Sequence, residues 1–388
     1  MKKKVLFVFG TRPEAIKMAP LVHAFKAQSS LFKTVVCVTA QHRQMLDEVL
    51  ELFKIKPDYD LNIMQDGQTL YHITASALCR MEKVLSDEKP DMVLVHGDTT
   101  TTFAAALAAF YQKIPVAHVE AGLRTYDRYQ PFPEEANRML TDALCDLYFA
   151  PTATSRAALL KENISREKIF ITGNTVIDAL HMALAKKKPV ANVILKKLLA
   201  SRVFGPAAPL VLVTSHRREN FGAPMENVFH ALNDAARVHP AMTIVYPVHL
   251  NPRVQEPAHR ILGHTANIVL LPPVNYTDLA AAMYRSSFVV TDSGGIQEEA
   301  PALGKPVLVL RAVTERPEAV KSGTVRLIGT NRKKVFDEVC RLIGDTRQYQ
   351  RMAHAVNPYG DGKAAVRSVQ AVAYYFKMRS KKPTEFRP

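Results

Sequence analysis

The sequence predicts an α/β protein built from two domains. Short apolar runs that suit buried strands alternate with longer segments of helical periodicity along the chain. Apolar residues make up 47% of the composition, and 388 residues exceed the size at which a single hydrophobic core normally stops growing. The alternation therefore indicates βα units that form one globular domain in each half of the chain.

The first half begins with a buried strand at 5–9. Further strands are predicted at 34–39, 92–95, 116–119, 147–150 and 169–172. Helices are predicted at 15–28, 41–52, 70–85 and 103–111, with Pro13 placed near the start of the first one. The turn Gly173-Asn174-Thr175 is the expected hinge, so the first domain is predicted at 1–174.

The second half repeats the same rhythm, and its domain is predicted at 175–362. Its strands are predicted at 210–214, 244–249, 268–271, 288–290, 306–310 and 325–328. Its helices are predicted at 176–185, at 224–238, from 295 onward and at 333–343. A turn-rich stretch then precedes a helix within 363–378, which we expect to pack back on the first domain.

Composition narrows the class of protein. The formal net charge of +15 raises the question of nucleic-acid binding, but the basic residues are scattered and lack interleaved aromatic side chains, which favours solvated basic faces. The cysteines lack metal-ligand or redox spacing, so we expect reduced thiols. No apolar run suits a membrane span and no signal-peptide pattern is present, so we expect a cytoplasmic protein without nucleic-acid or membrane partners.

A glycine turn in the second half predicts an anion-binding site. The turn Ser293-Gly294-Gly295 follows the strand at 288–290 and opens a helix. Two residues without side chains let a phosphate approach the unpaired N–H groups of the helix start. Glu299 lies one turn further on, where a carboxylate can accept hydrogen bonds from ribose hydroxyls. An ordinary βαβ connection also needs a glycine turn, and that alternative stays open.

Three acidic residues of the first half are expected to converge. Asp98 and Glu120 follow predicted strands, and Glu134 begins a predicted helix together with Glu135. The carboxyl ends of parallel strands meet at one edge of a sheet, where open α/β folds bind their ligands. Neighbouring carboxylates in a cleft are typical of proton transfer, because repulsion and burial raise their pKa values toward neutrality. Stabilisation of the helix start alone would explain Glu135.

Cationic side chains stand at two other strand ends. Arg12 and Lys17 lie at the start of the first helix, where the helix dipole disfavours positive charge, so either an anionic ligand or simple exposure must account for them. His216 follows the strand at 210–214 beside two arginines. That setting suits phosphate contact or acid catalysis, with a buried histidine satisfied by the backbone as the alternative.

A series of short motifs carries a family resemblance. They are GTRPEA at 10–15, HGDTT at 96–100, HVEAGLR at 118–124, PEE at 133–135, GNT at 173–175, HRRE at 216–219, YPVH at 246–249, SGGIQEE at 293–299 and TERPE at 314–318. In order and spacing, from about residue 4 to 376, the chain resembles the bacterial non-hydrolysing UDP-N-acetylglucosamine 2-epimerases.

The resemblance implies two Rossmann-like domains that face a cleft, the glycosyltransferase B-type architecture, in a homodimer. It implies interconversion of UDP-N-acetylglucosamine and UDP-N-acetylmannosamine through elimination and re-addition of UDP, with a 2-acetamidoglucal intermediate. It further implies no nicotinamide and no required metal, and a place in cell-surface polysaccharide biosynthesis.

Individual positions carry over from the family. Nucleotide-sugar contacts are implied for Arg12, Lys17, His216, Ser293, Gly294, Gly295, Glu299 and Arg316. Acid/base or catalytic roles are implied for Asp98, Glu120, Glu134 and His216. A second, activating UDP-N-acetylglucosamine site is implied for Gln41, His42, Gln44 and His249.

Departures from the family pattern fall outside the catalytic set. Gly67 stands where some regulated members have an arginine, which puts the activating site in doubt. The segment RAVT at 311–314 replaces the commoner RDTT, and PVNY at 273–276 alters the loop expected at uracil.

Other candidate functions are a 2-epimerase of a related UDP-2-acetamido sugar, a UDP-sugar glycosyltransferase on the same fold, and a binding protein without catalysis.

Overall fold

The computed structural model describes residues 1–41, 43–65, 67–201, 204–314 and 316–388. The described residues divide into two compact units. Unit 1 contains 1–182 and 359–387, and unit 2 contains 183–358 together with the last residue.

Unit 1 begins with β1 (Lys3–Phe9) and α1 (Arg12–Ala27), whose first turn contains Pro13 and follows Thr11 at the N-cap. The further strands are β2 (Phe32–Val38), β3 (Tyr59–Asp60), β4 (Met92–His96), β5 (Val116–Val119), β6 (Leu147–Ala150) and β7 (Ile169–Ile171). The further helices are α2 (Arg43–Phe53), α3 (Leu70–Glu88), α4 (Thr100–Tyr111), α5 (Glu134–Leu144), α6 (Ala153–Lys161) and α7 (Thr175–Ala185).

Over the described residues, the strands of unit 1 form one seven-stranded parallel sheet in the order β3-β2-β1-β4-β5-β6-β7. The inner strands are buried on both faces, as their apolar runs require in a sheet covered by helices. Strand order reverses between β1 and β4. In an open α/β sheet this reversal opens a crevice at the carboxyl edge, and ligands bind there.

Unit 2 repeats the arrangement with different lengths. Its strands are β8 (Leu210–Thr214), β9 (Thr243–Pro247), β10 (Ile268–Leu271), β11 (Phe288–Thr291), β12 (Val307–Val309) and β13 (Val325–Leu327). Its helices are α8 (Val193–Ser201), α9 (Ala223–Val238), α10 (Pro252–Leu262), α11 (Tyr276–Arg285), α12 (Ile296–Ala302), α13 (Pro317–Ser322), α14 (Arg332–Gly344) and α15 (Thr346–Ala353). Within the described segments they form a six-stranded sheet in the order β10-β9-β8-β11-β12-β13, which reverses between β8 and β11.

The predicted boundary after residue 174 is displaced in the structure, where unit 1 extends to Met182 within α7. The reason is that the start of α7 is bonded to the returning chain. The backbone N–H of Asn174 donates to the Tyr359 oxygen at 2.6 Å, and the Asp178 carboxylate accepts from Ala364 N at 3.2 Å. The last helix, α16 (Ala364–Tyr375), packs on α1 and belongs to unit 1.

No helix in the described part of the chain is both long and apolar enough to cross a membrane.

The four cysteines are free thiols, of which Cys79 is exposed.

Gly122, just after β5, offers a test of the close packing at this edge. Its φ is +82°, and an added Cβ would lie 2.3 Å from the Ser155 carbonyl oxygen. We expect Gly122→Ala to destabilise the protein by about 2 kcal/mol or more, from backbone strain plus the clash. Urea unfolding followed by circular dichroism measures the change.

Gly67→Ala is the matched control, because Gly67 has a φ of +66° but, its chain neighbours aside, no atom of the described residues within 4 Å of an added Cβ. It carries the strain alone, roughly 1 kcal/mol. Equal effects of the two substitutions would contradict the packing argument.

Candidate active site

The acid Glu120 follows β5 and lies in a cluster of polar side chains. Its carboxylate forms a short ion pair with Lys17 of α1 and accepts a 2.6 Å hydrogen bond from the Asn174 side-chain amide. The backbone of Glu120 has a φ of +67°, which is a costly conformation for a residue with a side chain. Packing and hydrogen bonds therefore hold this carboxylate in one place at the expense of local strain.

His96, the last residue of β4, faces the same carboxylate. Its Nε2 lies 3.8 Å from a Glu120 oxygen, and neither ring nitrogen has a hydrogen-bond partner among the described residues. Burial lowers the pKa of His96 to about 3, outweighing the opposing effect of Glu120. The ring is therefore a neutral imidazole with both nitrogens available.

Asp98 lies two residues further along the same edge and is held by α5. Its Oδ2 accepts hydrogen bonds from Arg138 Nε at 3.0 Å and Nη2 at 2.6 Å. Asn137 donates to the Asp98 backbone carbonyl at 2.9 Å. Arg138 also donates to the buried Glu135 at 2.9 Å, which leaves Glu135 with a structural role.

Glu134 begins α5, one turn before Arg138 and therefore on the same helix face. Its Oε2 is buried and has no hydrogen-bond partner in the described part of the chain. Leaving a buried carboxylate oxygen unsatisfied is unfavourable, and such atoms in native proteins call for an explanation such as a ligand or water. The helix that binds Asp98 thus also presents Glu134.

A buried pair braces the loops after β4 and β5. His118 lies between the Asp142 carboxylate, 2.6 Å from Nδ1, and the Gly97 carbonyl oxygen, 2.7 Å from Nε2. Asp142 also accepts from Arg124 at 2.6 Å and from the Gly122 N–H at 3.3 Å. Burial would raise the Asp142 pKa, but the charges and hydrogen bonds of His118 and Arg124 hold it below its usual value.

Glu14, which sequence reasoning did not single out, ties the loop after β1 to the start of α4. Its carboxylate accepts from the N–H groups of Gly10 and Thr11 at 3.0 and 2.7 Å, and from the hydroxyls of Thr99 and Thr102 at 2.7 and 3.0 Å. Burial raises its pKa despite these bonds. Its spacing from Thr11 is that of a capping box, a signal that the sequence does contain.

The remaining candidates of unit 1 lie on two helix starts. Arg12 is the half-buried first residue of α1. Gln41 accepts from the Thr101 hydroxyl at 3.1 Å, whereas Gln44 is exposed. His42 lies outside the described residues.

In unit 2, Asp292 follows β11 and organises the loop after β8. Its buried carboxylate accepts from the N–H groups of His216 and Arg217, each at 2.9 Å, and from the Ser215 hydroxyl at 3.0 Å. The His216 ring stays partly exposed and stacks on His249, with ring centroids 5.6 Å apart. Burial lowers the pKa of His216, Asp292 opposes this, and His249 adds to it.

The glycine turn lies beside a fixed guanidinium. Arg316 Nε donates to the buried Glu298 at 2.7 Å, and a Cβ added at Gly294 would lie 3.1 Å from Arg316 Nη1. The seven-residue α12 starts after Gly295, so its dipole is small, and the Arg316 guanidinium, paired with Glu298, lies beside the turn. Ser293 lies in the same turn, half-buried.

Glu299 lies below the turn on α12. It is 5% exposed, and Tyr276 donates a 2.7 Å hydrogen bond to its Oε1. Tyr276 is the first residue of α11 and ends the segment PVNY at 273–276, so this hydrogen bond joins that segment to α12. Polar groups thus gather at the carboxyl edge of each sheet: acids in unit 1, and a glycine turn beside a guanidinium in unit 2.

The chain is similar to proteins of one family over almost its whole length. A family model of UDP-N-acetylglucosamine 2-epimerases matches residues 23–373. An Escherichia coli UDP-N-acetylglucosamine 2-epimerase is 57% identical over 370 residues, which cover 95% of this chain and 98% of that protein.

Solved structures resemble this one over all or nearly all of the chain. A candidate UDP-N-acetylglucosamine 2-epimerase from Listeria monocytogenes is 46% identical with a TM-score of 0.92, and all of both chains is covered. The Neisseria meningitidis enzyme, bound to UDP-N-acetylglucosamine, is 50% identical with a TM-score of 0.86, covering 96% of this chain and 100% of that one.

A more distant structure bears on the fold alone. A glycosyltransferase of kitacinnamycin is 11% identical with a TM-score of 0.64, covering 98% of this chain and 100% of that one. The two parallel sheets with interleaved helices are a glycosyltransferase B-like fold, which confirms the predicted class. The family predicted from the motifs is confirmed as well: the chain belongs to the UDP-N-acetylglucosamine 2-epimerase family, whose members are isomerases.

Proposed function

We propose that this protein interconverts UDP-N-acetylglucosamine and UDP-N-acetylmannosamine by eliminating UDP and adding it back. The observation that carries the proposal is the set of acids at the edge of the unit 1 sheet. Asp98 and Glu120 follow adjacent strands, and Glu134 presents a buried oxygen without a partner among the described residues on the helix that binds Asp98.

The chemistry at C2 needs two acid/base groups. A base takes the C2 proton while the C1–O bond breaks, the C–H electron pair forms the C1=C2 bond, and UDP leaves with the C1–O electrons. In the reverse sense UDP oxygen attacks C1 while an acid delivers a proton to C2 on the opposite face. Asp98, Glu120 and Glu134 supply these groups, with roles set by their different surroundings.

The leaving group needs stabilisation in the transition state, because a C2 proton is removed only as negative charge develops on UDP. We assign this role to unit 2. Arg316 and the N–H groups at Gly294 and Gly295 suit the diphosphate, His216 stands at the neighbouring strand end, and Glu299 suits the ribose. Arg12 and Lys17 are assigned to the nucleotide sugar from unit 1.

Three further assignments accompany the reaction. We assign Gln41, His42, Gln44 and His249 to a second nucleotide-sugar site, and the protein to the cytoplasm. We also assign a homodimer, supported by exposed Phe110, Tyr111 and Leu140 on the neighbouring helices α4 and α5. Sedimentation equilibrium measures the oligomeric state.

Proton NMR in deuterium oxide tests the reaction. With UDP-N-acetylglucosamine we expect deuterium at C2 together with new UDP-N-acetylmannosamine signals, because a proton removed on one face is replaced from solvent on the other. An unchanged spectrum with demonstrable UDP binding would overturn the proposal in favour of another UDP-sugar or a glycosyl transfer, and other UDP-sugars with and without acceptors would then be screened.

The acids are tested by substitution. We expect Asp98→Asn and Glu134→Gln each to lower turnover about 100-fold or more while UDP affinity changes little, since each removes a proton-transfer group. Initial rates and calorimetric titration with UDP give the two quantities. The exposed Asp87→Asn and Glu51→Gln are matched controls in unit 1. Full turnover in both site variants would refute the assignment.

The glycine turn is tested separately. Gly294→Ala places a Cβ 3.1 Å from Arg316 Nη1, so the guanidinium must shift and the N–H groups become harder to reach. We expect UDP affinity to fall about 10-fold or more, the loss of one charge-assisted contact. Gly344→Ala is the control, since beyond its own helix its Cβ meets no atom of the described residues within 4 Å. Equal UDP affinity in both variants would count against this turn as the diphosphate site.

A further inference from the structure

Asn174, between β7 and α7, makes hydrogen bonds that its place in a turn does not require. It is 3% exposed, and its Nδ2 donates to Glu120 Oε2 at 2.6 Å. Its Oδ1 accepts from the Val176 N–H at 3.1 Å. Because a backbone N–H can only donate, Oδ1 must face Val176, and the amino group must face Glu120. The orientation of this amide is thus fixed by its neighbours.

The Glu120 carboxylate depends on such partners. Its backbone has a φ of +67°, so the side chain leaves the loop from a conformation that the surrounding structure has to enforce. Lys17 pairs with the same oxygen, Oε2, to which Asn174 donates. A lysine is a flexible point charge, whereas a buried amide held at its other end fixes a direction.

The geometry points to Asn174 as a positioning residue for the acid/base group Glu120, holding one carboxylate oxygen so that the carboxyl group meets the sugar in a single orientation. This inference rests on the proposed function, in which Glu120 moves a proton at C2. Proton transfer requires hydrogen-bond reach of the reacting atom, so a carboxylate that turns freely would lose most productive encounters.

The same residue lies where the chain leaves and re-enters unit 1. Its backbone N–H donates to the Tyr359 carbonyl oxygen at 2.6 Å, and Tyr359 is the first residue of the returning segment. Gly360 fits beside it: a Cβ there would lie 3.4 Å from the Asn174 carbonyl oxygen. The donor that fixes Glu120 is therefore anchored to both segments of unit 1 that border unit 2 in the sequence.

Asn174→Asp is the decisive variant. Aspartate has the same shape and keeps an acceptor for the Val176 N–H, but it replaces the donor to Glu120 with a second carboxylate. The ionisable groups of the described residues whose contacts with that carboxylate are given include Lys17 from α1 and His96 from β4, and the substitution adds the new aspartate from the β7–α7 loop. His118 of β5 is engaged by Asp142 and the Gly97 carbonyl.

Two carboxylates in contact hold a proton more tightly than one. We expect the limb of the kcat–pH profile of Asn174→Asp that reports Glu120 to move up by about one unit or more, with kcat at neutral pH reduced roughly 10-fold and KM changed by less than about threefold. Asn174→Ala removes the donor without adding charge, and we expect a similar fall in kcat without movement of the profile.

Asn163→Asp is the control, because it makes the same change at an exposed position of unit 1. A kcat and pH profile of Asn174→Asp equal to those of the wild type would overturn the inference, as would a loss of kcat with an unmoved profile, which a purely structural role predicts. The wild-type exchange of C2 hydrogen is measured in the same series, so its absence would identify failure of the proposed function instead.

Discussion

The burial of Asp142 is the constraint on which the acid-bearing edge of unit 1 depends. A carboxylate without exposure is tolerated only when charge and hydrogen bonds replace its water. Its partners are His118, Arg124 and the Gly122 N–H, and His118 in turn holds the Gly97 carbonyl. Since these groups flank Asp98 and Glu120, satisfying one buried charge also fixes the two loops from which the acids project.

Unit 2 also contains a buried carboxylate that needs hydrogen-bond partners, that of Asp292. Backbone N–H groups of the loop after β8 converge on this carboxylate, so the loop wraps around a buried negative charge. The His216 ring lies 3.6 Å from this carboxylate through Nδ1 and stays 41% exposed at the strand end. In both units a buried aspartate fixes the loops at the sheet edge by accepting hydrogen bonds from them. Other side chains at that edge are then left to contact a ligand.

Sequence reasoning succeeds where the pattern is local. Strand runs, glycine turns and helix starts depend on neighbouring residues, and they place Asp98, Glu120 and the Ser293 turn at the carboxyl edges of two parallel sheets. Sequence reasoning does not predict contacts between distant segments, such as those of Lys17 and Asn174 with Glu120. Such contacts have no characteristic spacing along the chain. The domain boundary was displaced for the same reason. The periodicity of α7 is continuous, and its hydrogen bonds to the returning chain join its first turns to unit 1.

The left-handed backbone at Glu120 has a consequence for how this chain can vary. Glycine or asparagine would occupy that φ more comfortably, so the position trades folding free energy for a carboxylate. Selection for thermal robustness alone would favour glycine or asparagine there, and under the proposed function the need for a carboxylate opposes that replacement. Under that function, substitutions that stabilise this protein without loss of turnover should lie at other positions, because relieving the strain at residue 120 would also remove the carboxylate.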